Sequence, residues 1–397
     1  MINIPEFEDS YTEFKLDSVR NDEIAKEICA LSNTEGGRIF FGLDDHGKIQ
    51  GVENPQELEQ RVCQLCSTTI QPAVIPIIEI TRVEKKHVLI VHINNGPQKP
   101  YAVKQQNRFT YFIRSGSTSR EATREELIRL TQAAGFLHFE IMGVDRTSIL
   151  DLDPRIIEDY FYRIRKLQKS EDQDQLFWQE LLLNTDYLTN DQNAQTPLAS
   201  YAGLLLFGKD PRRYLSSSGI SAIKFAGSEM EYDSQHRDTI KGPIVSLYDD
   251  FGLPRELGLI DKALLFCQQF LSSEKLIGAA RKRIWDIPET VLRETLVNAV
   301  LHRDYTIARD IDLKIFSDRV EISNPGKLPN TVSIAKMKAG CRYPRNPILI
   351  ETARDYGFIE HLGMGVPRKI IKGMLEFNGK EPEIIETEDQ LTIILSK

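Results

Sequence analysis

Apolar residues recur at helical spacing in NDEIAKEICALSN, where Ile24, Ile28 and Leu31 share one face, and this pattern predicts an amphipathic helix. TEGG breaks it. The short apolar run RIFFGL predicts a buried strand, DDHGK a polar turn, and KKHVLIVHI and RFTYFIR two further strands. In SREATREELIRL a helix restarts, with the T-x-x-E spacing of a capping box from Thr123 to Glu126. Residues 1–135 read as one compact α+β unit.

The pattern then changes. DPRIIEDYFYRIRKL and DQLFWQELLLNTDYL predict helices joined by the polar stretch QKSEDQDQ, and TNDQNAQTP is rich in turn residues. Residues 136–195 read as a helical linker. From residue 196 onward LASYAGLLLFG and a strand, ISAIKFAG, lead into a helical tract expected from about Gly242 to Leu271. A helix around Arg293–Tyr305, strands in DIDLKIFSD and RVEISNPG, two helical stretches and closing strands in PEIIET and QLTIILS complete the chain. Helices against a sheet with hairpin strands predict an α/β sandwich over 196–397.

A length of 397 residues suits two or three domains, and 41% hydrophobic with 27% charged residues is ordinary for globular protein. No run of about 18 apolar residues occurs, so no membrane partner is expected. The N-terminus lacks an apolar stretch of signal-peptide length, and the five cysteines are scattered and odd in number. Together these imply a cytoplasmic protein with reduced thiols. Cys63 and Cys66 form a C-x-x-C without a second pair, inside a stretch that reads as helix; both read as small core residues. The net charge of −8, with 16 Lys and Arg against 19 Asp and Glu in residues 1–135, excludes a generally basic nucleic-acid binder but leaves room for a local basic patch.

Candidate chemistry begins with RETLVNAVLHRDY, Arg293–Tyr305, where Glu294, Asn298 and His302 recur every four residues along one helix face. Leu292, Leu296, Val300 and Leu301 supply a packed side. The plain alternative is a solvated polar stripe. Downstream, a strand ends in Asn324-Pro325-Gly326, and Gly363 and Gly365 precede a helix starting near Val366. A G-x-G at a helix start lets backbone approach phosphate.

In this order and spacing the elements resemble the GHKL ATPase superfamily of gyrase, histidine kinases and mismatch-repair ATPases. GLLLFGKDP, RETLVNAVLHRDY, VEISNPGKLP, RNP and GMGVP resemble more closely the C-terminal domain of RecG-related helicases or transcriptional regulators. The resemblance implies a Bergerat-type fold binding ATP with Mg²⁺. Asn298 would be the metal ligand, Glu294 would orient or deprotonate water, and His302 would bond a phosphate or cap the site. Asn324, Gly326, Gly363 and Gly365 would line the nucleotide, with residues 330–361 as a lid. Asn324 departs from the Asp usual at the adenine-accepting position. No G-x-x-x-x-G-K-[ST] loop of a helicase motor is present.

The first third carries EDSYTEFK, SNTEGGRIFFGLDDHG and YFIRSGSTSREAT. These resemble the Schlafen-type AlbA-like domain, a DNA- or RNA-binding family with some metal-dependent endonucleases. The resemblance implies catalytic or metal-binding roles for Glu8, Glu13 and Asp44 or Asp45, with Mg²⁺ or Mn²⁺, and for Lys15 beside them. Lys15, Arg38, Arg114 and Arg120 would contact nucleic acid. The plain alternative for the carboxylates is solvated surface.

The sequence therefore predicts an α+β multidomain protein: an AlbA-like domain over 1–135, a helical linker over 136–195, and a GHKL-type domain over 196–397. It is expected to bind ATP and DNA or RNA and, by resemblance to both families, to self-associate as a homo-oligomer. Three activities stay open: a nucleotide-regulated nuclease, a non-catalytic ATP-responsive DNA-binding transcriptional regulator, and an ATPase scaffold acting on a protein partner.

Overall fold

The structure is a computed structural model; it describes residues 5, 7–96, 98–105, 108–133, 139–191, 194–230, 234–249, 251–277, 280–328, 332–341, 344–359, 365–387 and 389–397. Helix makes up 35% and strand 28%, in an α+β, multidomain chain. The chain divides into two compact units, Met1–Leu137 and His138–Lys397. Among the described residues no helix is long and apolar enough to cross a membrane.

The first unit is built on a four-stranded sheet. Thr12–Lys15 runs parallel to Gly36–Phe41, followed by antiparallel Lys86–Asn94 and Ile77–Val83. Strand periodicity sorts its apolar residues onto two faces. Ile39, Phe41, Leu89, Val91 and Ile93 pack with Ile24, Ile28 and Leu31 of the Asn21–Asn33 helix, while Phe14, Phe40, Leu43, Val88 and Ile90 form a separate cluster. Asn33 closes this helix onto the chain ahead: its Nδ2 donates to the carbonyls of Tyr101 and Phe112, and its Oδ1 accepts from Tyr101 N at 2.7 Å. The T-x-x-E cap forms, with Glu126 N bonded to Thr123 Oγ1 and Thr123 N to Glu126 Oε2. RFTYFIR is not one strand but two, Arg108–Thr110 and Phe112–Ser115, in different sheets. In the C-x-x-C stretch Cys66 is buried but Cys63 is exposed, so only one of the two serves the core.

The second unit carries a six-stranded sheet in the order His236–Ile240, Ile220–Lys224, Ile311–Ile315, Arg319–Pro325, Gln390–Ser396, Glu383–Glu386. Only the pair Ile220–Lys224 and Ile311–Ile315 is parallel. The helices Leu259–Leu271 and Glu289–Leu301 pack on each other and on this sheet, within one continuous core. The described part of the segment read as a linker belongs to this unit, since Leu152, Ile156, Tyr160, Phe161, Leu182 and Tyr187 lie in the same core.

The helical tract expected from Gly242 is confined to Leu259–Leu271. Gly242, Pro243, Gly252, Pro254 and Gly258 interrupt the preceding stretch, which instead forms the short pair Leu247–Tyr248 and Pro254–Glu256 around a turn closed by Asp249 Oδ1. Between the two helices stands a hairpin the sequence pattern did not announce, Ser272–Ile277 paired with Ala280–Trp285.

Candidate nucleotide site

Glu289–Leu301 forms because Leu292, Leu296, Val300 and Leu301 are fully buried on its packed side. The polar stripe is not solvated: Glu294 is 5% exposed and Asn298 and His302 are half-buried. Asn298 Nδ2 donates to the Glu294 carbonyl at 2.7 Å and to Glu294 Oε1 at 3.0 Å. Its amide nitrogen is thereby engaged and its Oδ1 is left as an acceptor for a cation. Glu294 Oε2 lies 3.4 Å from Lys369 Nζ. Withdrawal from water, aided by the positive charge of Arg345, pushes His302 down to about 4, so its imidazole is neutral at ordinary pH.

These side chains face a cavity of about 290 Å³. Its walls include Glu294, Asn298 and His302 from the helix, Ile322, Asn324 and Gly326 from the strand end, and Gly365 beyond the lid segment. Asn324 is 9% exposed, and its Oδ1 is buried without a hydrogen-bond partner. Such an orphaned acceptor is costly unless a ligand donor meets it. Gly326 sits at φ +101°, a left-handed value, and a β-carbon there would press on Asp304 and Arg345. At Gly365 a β-carbon would collide with the Glu294 carboxylate.

The segment expected as a lid, 330–361, contributes Met337, Cys341, Arg345, Ile350 and Arg354 to the cavity lining, on and around the helices Ile334–Lys338 and Pro347–Asp355. Asn330, His361 and Gly363 lie outside the described residues. Sequence reasoning missed Arg345 and Arg354, which line the cavity, and Lys369, which pairs with Glu294 in its wall. Arg345 was visible within the RNP motif, and Lys369 stands one helical turn past Gly365. Arg345 Nη1 is 3.7 Å from Asp304, and Arg345 Nη2 donates to the Lys327 carbonyl at 2.6 Å. The buried Asn346 amide donates to the carbonyls of Leu301 and Arg303, which ties the lid helix to the end of the Glu294 helix.

The first unit treats its candidate residues differently. Arg114 is the centre of a buried network: it pairs with Glu13 and with Glu27 and donates to the carbonyls of Asp9 and Thr12. Its side chain is 1% exposed, which corrects the expectation of a phosphate contact. Lys15 is committed to Glu13. Glu8 Oε1 accepts from Phe14 N at 2.9 Å, and its partial burial raises its pKa. Burial likewise raises Glu27, a member that sequence reasoning did not include. Asp44 caps its own turn, accepting from the backbone of His46 and Lys48 and from Gln50 Nε2. Among the described residues no group of three or more His, Cys, Asp or Glu is placed to hold a metal, so Glu8, Glu13 and Asp44 or Asp45 do not assemble as such a site. The reason is local, because Glu13 is occupied by cations and Asp44 by its turn. Arg120 forms a two-pronged bond with Glu126, and the Arg38 guanidinium lies over the Phe40 ring at 5.3 Å.

Two family models match the chain. Residues 8–123 match "Schlafen, AlbA_2", and residues 308–395 match "Putative ATP-dependent DNA helicase recG C-terminal". The matches place a segment similar to Schlafen AlbA_2 ahead of one similar to the RecG-related C-terminal model. That order is the one read from the motifs. No curated protein is a significant match. Among solved structures, the DIP2311 protein from Corynebacterium diphtheriae is 22% identical over 98% of this chain and 75% of its own, at a TM-score of 0.46. The N-terminal domain of a putative ATP-dependent DNA helicase RecG-related protein from Nitrosomonas europaea is 20% identical over 28% of this chain and 81% of its own, at a TM-score of 0.23.

Proposed function

We propose that this is an ATP-binding, nucleic-acid-associated protein that takes Mg-ATP in the cavity beside Glu294 and Asn298. The observation that carries the reading is the buried, partnerless Oδ1 of Asn324 in the wall of that cavity. It suits the exocyclic amino group of adenine, which brings the missing donor. Gly326 gives the base a close approach. Asn298 Oδ1 would hold Mg²⁺, which keeps most of its waters and neutralises phosphate charge when bound. Gly365 and the following helix offer backbone to the phosphates, and Arg345, Arg354 and Lys369 add positive charge around them.

Glu294 is the candidate to orient the attacking water in hydrolysis. Its two carboxylate oxygens are held by Asn298 and Lys369, so its position is fixed before substrate arrives. The nucleic-acid role is assigned to the AlbA_2 segment, acting by binding. Cleavage there gains no support from the carboxylate placement, since Glu13 is neutralised inside an ion-pair network.

Displacement of a fluorescent ATP analogue by ATP and GTP tests the reading. Wild type should prefer ATP, and Asn324→Leu should weaken ATP at least tenfold while leaving GTP nearly unchanged. Equal competition by both nucleotides in wild type would remove Asn324 from base recognition.

A further inference from the structure

The hairpin Ser272–Ile277/Ala280–Trp285 serves neither the cavity nor the six-stranded sheet. It is a separate two-stranded ribbon, rooted firmly at its base. Asp286 N donates to the Leu271 carbonyl at 2.7 Å, and Ser272 Oγ donates to the Gln268 carbonyl at 2.6 Å. Six residues pair on each strand, Ser272 with Trp285 through Ile277 with Ala280. At about 3.3 Å per residue the ribbon reaches roughly 20 Å.

Its charge runs against that of the protein. Residues 272–285 hold Lys275, Arg281, Lys282 and Arg283 against Glu274 alone, in a chain of net charge −8. Arg281 is 80% exposed and Arg283 44%, and both face the single carboxylate of Glu274 at 3.9 and 3.7 Å.

We propose that this hairpin is a second nucleic-acid contact, a basic arm that lies in the major groove of duplex DNA. The groove of B-form DNA admits a two-stranded ribbon, whereas the major groove of A-form RNA is too narrow for one. Arg281 and Arg283 alternate on one face with Glu274 and the exposed Leu276 and point to phosphate or guanine edges as their targets. The arm lies outside the AlbA_2 segment, so this inference does not rest on the role assigned to that segment.

Fluorescence anisotropy of the full chain with a labelled DNA duplex, titrated at several salt concentrations, tests it. The double variant Arg281→Ala/Arg283→Ala should lose at least tenfold in affinity at low salt, and its log K against log salt slope should fall by about 2. Arg281→Lys/Arg283→Lys should restore the slope, and both variants should keep the wild-type unfolding midpoint. An alanine variant that binds like wild type, or a wild type that binds no duplex or prefers RNA, overturns the proposal. So does an alanine variant whose only change is oligomeric state in light scattering, since Leu276 and its neighbours would then join copies of the chain.

Discussion

Gly365 lies so close to the Glu294 carboxylate that no β-carbon fits between them. Two segments about seventy positions apart in sequence are thus locked at the one spot where chemistry is expected. Gly365→Ala must push Glu294 aside or move the Gly365–Ile371 turn. We expect a loss of roughly 1–3 kcal/mol in stability, as for other overpacked sites, with a fall in Mg-ATP affinity. Urea unfolding with and without Mg-ATP reads both. Unchanged values in the variant would mean that the two segments are not locked together.

Arg114 holds the first unit in a different way. Removing it leaves Glu13 and Glu27 buried without their shared cation. Arg114→Leu should cost about 3–5 kcal/mol, while the exposed Arg120→Ala should cost under about 1 kcal/mol. Chemical denaturation of each variant distinguishes this structural role from a surface role in binding, in which the two changes would be similar in stability.

What the sequence disclosed follows from where the signals are local. The Asn21–Asn33 helix and the Gly36–Phe41 strand follow local signals in the sequence, whereas the helix expected around Arg293–Tyr305 runs four residues earlier, Glu289–Leu301, with His302 as its C-terminal cap. The stripe Glu294, Asn298, His302 was legible because four-residue spacing fixes a shared face. The hairpin at 272–285 was not, since its strands are polar and show no apolar alternation. Nor was the fate of Glu13 and Arg114, which depends on strands and a helix about a hundred residues apart converging. A carboxylate motif does not reveal whether a cation has already claimed it.

Two titrating groups withdrawn from water give opposing pH signatures. Glu140 is 1% exposed and accepts the backbone N–H groups of Ile348 and Leu349 at the start of the Pro347–Asp355 helix, yet burial pushes it up to about 7. Its pKa is raised on folding, so its contribution is full below about 4.5 and is lost as pH rises through 7. His302 is depressed to about 4, so its contribution is full above about 6.5 and is lost as pH falls towards 4. The two trends oppose each other in wild type. Glu140→Gln should leave stability that rises with pH between 4.5 and 7, and His302→Asn stability that falls, each by up to roughly 3 kcal/mol. Thermal melts across that range check the signs. Parallel profiles for the two variants would contradict both assignments.

Glu294 separates binding from turnover. Glu294→Gln keeps the shape of the side chain and removes its charge, so it should bind Mg-ATP within a few-fold of wild type and release no phosphate. Phosphate release at the wild-type rate in this variant would assign water activation elsewhere.

The central claim is that Asn298 and its cavity hold Mg-ATP, and calorimetric titration tests it most directly. Titrating ATP into wild type with Mg²⁺ should give a saturating heat that is lost or greatly weakened when EDTA replaces the metal. Asn298→Ala should show no saturable heat with Mg-ATP while unfolding at nearly the wild-type midpoint. Wild-type affinity in Asn298→Ala, or binding in wild type that ignores the metal, would contradict the assignment of this site.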